Sequence, residues 1–237
     1  MEFQRDGGVA RIFLNRPQKV NALDSAMLDA LVAVLGRVDD TIQVVVLGGH
    51  GKAFCGGADV GELRALDPQT AREFIGRVHR ACDAVRRLPV PVVARLHGAV
   101  MGAGLELAAA CDLRVAASGT RFAMPEVRLG IPSVVEAALL PRLMGSGRAA
   151  WLVLTGEPID AERAREWGLV ETVAEDLDRA VSQLVASLLA GDRAALRAQK
   201  ELLQQWEEQP LAASVAASIE RFSQAYTIGG AKAEKEH

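Results

Sequence analysis

The 237-residue chain reads as an α/β fold built on a mainly parallel sheet and followed by a helical last quarter. Three observations carry that reading. Short apolar runs at residues 44–47, 90–96 and 113–117 alternate with helical periodicity at 24–38, 67–88 and 102–110, the pattern of β/α units feeding a parallel sheet. Hydrophobic residues make up 50% of the chain, enough for one sizeable core. From residue 176 onward the apolar spacing is helical throughout, with no further strand to join the sheet.

Each element has its own signal. Residues 9–15 (V-A-R-I-F-L-N) alternate like a strand that Arg16-Pro17 ends. Residues 24–38 repeat apolar side chains at helical spacing behind Asp24, a candidate N-cap. The run 44–47 predicts a buried parallel strand stopped by Gly48-Gly49, and 50–59 a glycine-rich loop. Asp67-Pro68 opens a helix reaching about residue 88. A buried strand at 90–96, a helix at 102–110 and a strand at 113–117 follow. Helices are expected at 134–143, 148–154 and 161–167, the last stopped by Gly168, then a short strand at 169–173. Helices at 177–189, 193–206 and 211–226 complete the chain, and the polar stretch 229–237 reads as a mobile tail.

Composition excludes several functions. Net charge is −3 and charged residues are 24%, so neither nucleic acid nor an anionic membrane is indicated. Aromatic residues at 4% are too few for a base-stacking platform. Cys55, Cys82 and Cys111 are far apart, as suits free thiols in a reducing compartment. The four histidines have no metal-ligand spacing, so no metal is expected. Met1 leads into polar residues unlike a signal peptide, and no apolar run is long enough to span a membrane. A cytoplasmic protein is the expectation.

The richest stretch is residues 97–112, H-G-A-V-M-G-A-G-L-E-L-A-A-A-C-D. Between Gly98 and Cys111 every residue is small or apolar except Glu106. A carboxylate there is expected to be buried, and an unpaired buried charge costs several kcal/mol. Gly102 and Gly104 permit close backbone approach at a helix start, where free N–H groups favour developing negative charge. Such a site can stabilise an enolate-like oxyanion while a tuned acid moves protons. Two plainer readings stand beside it. A dinucleotide loop needs G-x-G-x-x-G and a later ribose-binding acid, which this spacing does not supply. A structural acid paired with an arginine such as Arg114 stays open. Cys55, Asp112 and His97 are read as packing, capping and loop-bonding residues.

Five motifs in order resemble the crotonase family, the enoyl-CoA hydratase/isomerase superfamily. They are L-N-R-P-Q-K-V-N-A-L at 14–23, K-A-F-C-G-G-A-D-V-G-E-L at 52–63, the 97–112 stretch, F-A-M-P-E-V-R-L-G-I-P at 122–132 and L-T-G-E-P-I-D-A-E-R-A-R-E-W-G-L-V at 154–170. The resemblance runs from about residue 9 to about residue 226. It implies a crotonase (ClpP-like) fold, a stacked β/α spiral with a helical C-terminal extension. Residues 1–175 would form the core with the CoA and acyl site, and 176–237 a helical region for trimerisation.

The resemblance also implies roles. Ala58 and Ala103 match the two backbone N–H donors of the oxyanion hole, Ala103 standing where glycine is usual. Glu106 and Glu126 match the two catalytic glutamates, the first activating water and the second shuttling the Cα proton. Lys19, Val20, Ala58, Asp59 and Val60 fall in segments that bind CoA and substrate. The implied activity is hydration of a 2-enoyl-CoA, with coenzyme A part of the substrate and no separate cofactor. Partners would be the acyl-CoA thioester and further copies, as homotrimer or hexamer. A Δ3-Δ2 isomerase or another hydro-lyase is the first alternative, and a non-catalytic CoA-ester or protein-binding member the second. Retention of both acids favours hydration. Residues 129–140 (L-G-I-P-S-V-V-E-A-A-L-L) depart from the family pattern, one residue shorter and with no glycine pair. Glu136 falls where a glycine is expected, either on a solvent-facing helix or as a third acid beside the acyl pocket. No stretch matches the family's closing G-M-x-A-F-x-x-K-R-like segment, which helps cover CoA.

Overall fold

The computed structural model describes residues 1–227, so the tail expected at 229–237 lies outside the described residues. Strand β1 (Glu2–Asp6) turns through Gly7 and Gly8 into β2 (Val9–Leu14). Helix α1 (Ser25–Leu35) leads to β3 (Val44–Gly49), and the short α2 (Val60–Leu63) to α3 (Pro68–Arg86). Then come β4 (Val92–Leu96), β5 (Ala99–Met101), α4 (Ala103–Ala109), β6 (Leu113–Ala117) and β7 (Arg121–Ala123). After two 3-10 turns, at Pro125–Leu129 and Val135–Leu139, follow α5 (Leu140–Met144), α6 (Ser146–Thr155), β8 (Ile159–Asp160), α7 (Ala161–Glu166) and β9 (Thr172–Ala174). Helices α8 (Leu177–Leu189), α9 (Arg193–Glu208) and α10 (Leu211–Thr227) close the described chain.

Six strands form one sheet in the order β1-β2-β3-β4-β6-β9, parallel except for the β1–β2 hairpin. A second sheet of β5, β7 and β8 lies beyond it. Strand β3 is buried along its whole length, consistent with a parallel strand covered on both faces. One face packs against the main core under α1, α3 and α4. The other is covered by α8, whose Leu177, Val181 and Val185 meet Val44, Val46, Val93 and Val115.

Local chemistry sets the helix starts. Asp24 accepts from Met27 N at 2.8 Å, and Asp67 and Thr70 form a reciprocal capping box ahead of Pro68. Two expectations shift. The helix expected at 134–143 is a 3-10 turn broken from α5 at Leu140, with Val135 at a φ of +43°. The strand expected at 169–173 sits at Thr172–Ala174, because Leu169 and Val170 are drawn into the core instead. Strands β1, β5, β7 and β8 are additions. The first is a largely exposed edge strand, and the others hold two or three residues, too few to show a period.

Candidate active site

Two backbone segments meet to form one wall of the site. The glycine-rich loop runs beside β5: Phe54 N donates to His97 O at 2.8 Å, Cys55 N to Ala99 O at 3.1 Å, and Met101 N to Cys55 O at 3.0 Å. Gly104 makes the approach possible, since a Cβ there would lie 2.7 Å from both Cys55 Cβ and Cys55 O. Gly57, at a φ of +101°, brings the loop within 3.9 Å of Ala103 N, measured from its ideal Cβ position.

Ala58 is bridged to Leu23 through its neighbours, Leu23 N donating to Gly57 O at 2.8 Å and Asp59 N to Leu23 O at 2.9 Å. A parallel bridge of this kind turns Ala58's own N–H the other way. Ala103 is the first residue of α4, where an N–H has no acceptor within the helix. Among the described residues neither N–H donates to another backbone group. Both residues line the same cavity.

Two acids face that wall. Glu106 sits in the first turn of α4 and is 3% exposed. Its carboxyl is pushed up to about 8, mainly by burial, then by the negative charges of Glu126 and Glu136, against a hydrogen bond from the Ala137 backbone. Glu126 stands in the 3-10 turn Pro125–Leu129. Its Oε1 lies against Gly102, where any Cβ would collide with it, and Gly102 has a φ of +49° besides. The left-handed φ favours glycine there, and a Cβ would push the Glu126 carboxyl aside. Ser133 Oγ donates to Glu126 Oε2 at 3.0 Å. Burial raises this second carboxyl too, against its hydrogen bonds.

Glu106, Glu126, Ala58 and Ala103 line one cavity of about 190 Å³, whose other walls include Phe74, Val78, Leu129 and Ile131. A larger cleft of about 1010 Å³ adjoins it through Val60, Leu63 and Phe74, with Arg64 and Arg72 on its rim. The pairing of Glu106 with Arg114 is ruled out by geometry. Arg114 binds Glu171 Oε1 at 2.5 Å and donates to Leu169 O at 2.8 Å and Cys111 O at 2.7 Å.

The remaining sequence-chosen residues divide. Val60 lines both cavities. Asp59 lies behind them as the N-cap of α2, and Arg16, at 2.5 Å, holds its carboxyl below the usual range. Val20 backs the loop by accepting from Gly56 N at 2.8 Å, while Lys19 is exposed at the end of a 3-10 turn. Cys55 is buried and its thiol is pushed up to about 12, which leaves no thiolate for nucleophilic attack. His97 Nε2 lies 3.0 Å from Gly51 O, and Asp112 accepts from Val92 N at 2.7 Å and binds the buried Lys200 at 2.5 Å. Glu136 is 5% exposed, so it does not face solvent; nor is it among the residues lining the two cavities. Sequence reasoning missed Phe74, Ile75 and Val78 on α3, whose apolar side chains nothing local sets apart from core, and Ser133, which nothing local distinguishes. Among the described residues no His, Cys, Asp and Glu cluster could hold a metal ion, and no helix is long and apolar enough to cross a membrane.

Comparison with known proteins points the same way. The enoyl-CoA hydratase/isomerase family model matches residues 4–233. A crotonyl-CoA hydratase of Syntrophomonas wolfei is 35% identical over 205 residues, 83% of this chain and 78% of its own. A trans-2-decenoyl-acyl-carrier-protein isomerase of Streptococcus mutans is 33% identical over 217 residues, 86% of this chain and 82% of its own. The crystal structure of an enoyl-CoA hydratase from Mycobacterium smegmatis superposes with a TM-score of 0.91 at 35% identity, covering 94% of this chain and 89% of that one.

Proposed function

The chain belongs to the enoyl-CoA hydratase/isomerase family, and from that premise we propose that it adds water across the double bond of a 2-enoyl-CoA thioester. One observation carries this reading: buried Glu106 and half-buried Glu126 line one cavity with two backbone N–H groups that donate to no other backbone group. The thioester oxygen sits between the Ala58 and Ala103 N–H groups, which bind it more tightly as it gains charge. One such donor is worth roughly 3–4 kcal/mol.

The Glu106 carboxylate, populated as pH approaches about 8, takes a proton from water as the oxygen attacks Cβ. Protonated Glu126 gives a proton to Cα as the enolate collapses. Transfer of the proton from Glu106 back to Glu126 restores both. The cycle needs one acid ionised and one protonated, which suits neighbouring carboxyls whose like charges disfavour ionising both. Each transfer contributes roughly 10²–10⁴-fold. Coenzyme A enters as part of the substrate, and no separate cofactor takes part. The larger cleft, rimmed by Arg64 and Arg72, offers room and positive charge for the rest of the thioester. Lys19, Val20 and Asp59 act by holding the loop. A homotrimer or hexamer working in the cytoplasm completes the proposal.

Isomerisation is the second reading, favoured by the S. mutans relative and by the shared need for an oxyanion hole. Incubation with crotonyl-CoA and with a 3-enoyl-CoA separates the two. Hydration consumes the conjugated thioester absorbance and yields a 3-hydroxyacyl-CoA. Isomerisation creates that absorbance from the 3-enoyl substrate and leaves no hydroxyl product. Turnover of neither overturns both in favour of a CoA-ester or protein-binding role.

A further inference from the structure

A buried amide stands behind the glycine-rich loop, and the hydration steps give it no part. Asn21 is fully buried, just after the 3-10 turn Pro17–Lys19. Its Nδ2 donates to His50 O and to Ala53 O, each at 2.8 Å. Its Oδ1 accepts from Arg16 N at 2.9 Å. Two carbonyls at one end and an N–H at the other fix the orientation of the amide. Gly49 leaves the room for it, since a Cβ there would lie 2.8 Å from Nδ2. The side chain thus ties the turn to the start of the loop.

The backbone continues the tie to the other end of the loop. Val20 and Asn21 have φ values of +55° and +53°, both left-handed. Asparagine tolerates that conformation, whereas valine enters it under strain. Such strain persists only where the surroundings over-determine it. The two residues turn the chain so that Val20 O accepts from Gly56 N and Leu23 N donates to Gly57 O, both at 2.8 Å. In a trans peptide the C=O and the N–H point in opposite directions. Gly57 O and Ala58 N–H belong to one trans peptide, so Leu23 decides where the Ala58 N–H points.

We propose that Asn21 is a positioning residue for the Ala58 donor. Its amide clamps the turn to the loop, and Leu23, two residues on, aims the Ala58 N–H into the cavity. The inference rests on the oxyanion hole of the hydration reading.

Two substitutions release the clamp. Asn21→Gly keeps the left-handed backbone accessible and deletes the side chain. Asn21→Asp keeps the shape but sets an oxygen in place of Nδ2, against two carbonyl oxygens. With crotonyl-CoA, each should lower kcat and kcat/KM together by about tenfold or more. That is the pattern of a lost interaction that is made in the transition state.

The deciding measurement is spectroscopic. Saturating 2,4-hexadienoyl-CoA is bound to Glu106→Gln protein, in which hydration is slow, with and without each Asn21 substitution. Hydrogen bonds to the thioester oxygen draw electrons along the conjugated chain and move its absorbance to longer wavelength. With Asn21 intact the bound thioester should show this red shift, and either substitution should shrink it. A merely structural role changes the amount of folded protein, not the wavelength of the bound thioester. Far-ultraviolet circular dichroism checks folding, and if Asn21→Gly does not fold, Asn21→Asp decides in its place. An undiminished red shift in a folded variant overturns the proposal and leaves the hydration reading intact. Failure of both variants to fold also overturns it, since the clamp would then hold the fold rather than aim one donor. No red shift even with Asn21 intact would sink the oxyanion hole itself, and the proposal with it.

Discussion

Glu106 retains its proton up to about 8 in the folded protein, against an ordinary value of 4.5. As pH rises past that ordinary value, the unfolded chain releases this proton while the folded one keeps it. The stabilising contribution is therefore complete below about pH 4.5 and is lost progressively up to about pH 8. The slope approaches roughly 1.4 kcal/mol per pH unit within that window. Glu106→Gln should flatten this decline and be the more stable protein at pH 8, by about 2 kcal/mol or more. Urea unfolding of both proteins at pH 5 and pH 8 checks it; parallel pH dependence would contradict the burial argument. Cys55 and Asp59 mark the contrast at the same scale. Burial silences the thiol, whereas Arg16, helped by the Gly61 and Glu62 backbone N–H groups, lowers the carboxyl of Asp59.

Helix α4 has seven residues and starts at a glycine with no side-chain cap, so its first N–H groups stay free for a ligand. Ala103 is its first residue, a position that accepts proline without breaking the helix. Ala103→Pro should thus delete one donor, lower kcat/KM by roughly 10²–10³-fold and leave the far-ultraviolet circular dichroism unchanged. Serine at Ala58 keeps its N–H and should be mild; equal damage from both would point to packing instead.

Much at this scale was legible in the sequence, because caps and periods are local. Asp24 and Asp67 mark helix starts, and the lone acid in the apolar run 98–111 marks Glu106. The apolar spacing at 134–143 misled, since it carries no sign of the left-handed Val135. Glu126 and Glu106 are brought to one cavity by the second sheet's placement of β7, a tertiary pairing of three-residue strands that no window of sequence displays. The burial of Glu136 has the same origin.

At the scale of the whole molecule, a cluster of uncovered apolar side chains lies on the last two helices of the described residues. Helix α8 is spent on the sheet, whereas α10 packs on α9 and leaves Leu211 81%, Ile219 68% and Phe222 67% exposed. With Trp206 these residues line a groove of about 700 Å³. Apolar patches of this kind mark interfaces in soluble proteins. Sedimentation at micromolar concentration should find a trimer or larger species, and Ile219→Asp should shift it toward monomer. A wild-type monomer would remove the assembly from the proposal.

The account stands or falls most directly on hydration of crotonyl-CoA by wild type, Glu106→Gln and Glu126→Gln, followed by loss of the conjugated thioester absorbance. It predicts that each substitution lowers kcat by roughly 10²–10⁴-fold while crotonyl-CoA affinity stays nearly unchanged. Near-wild-type turnover by either variant would contradict it.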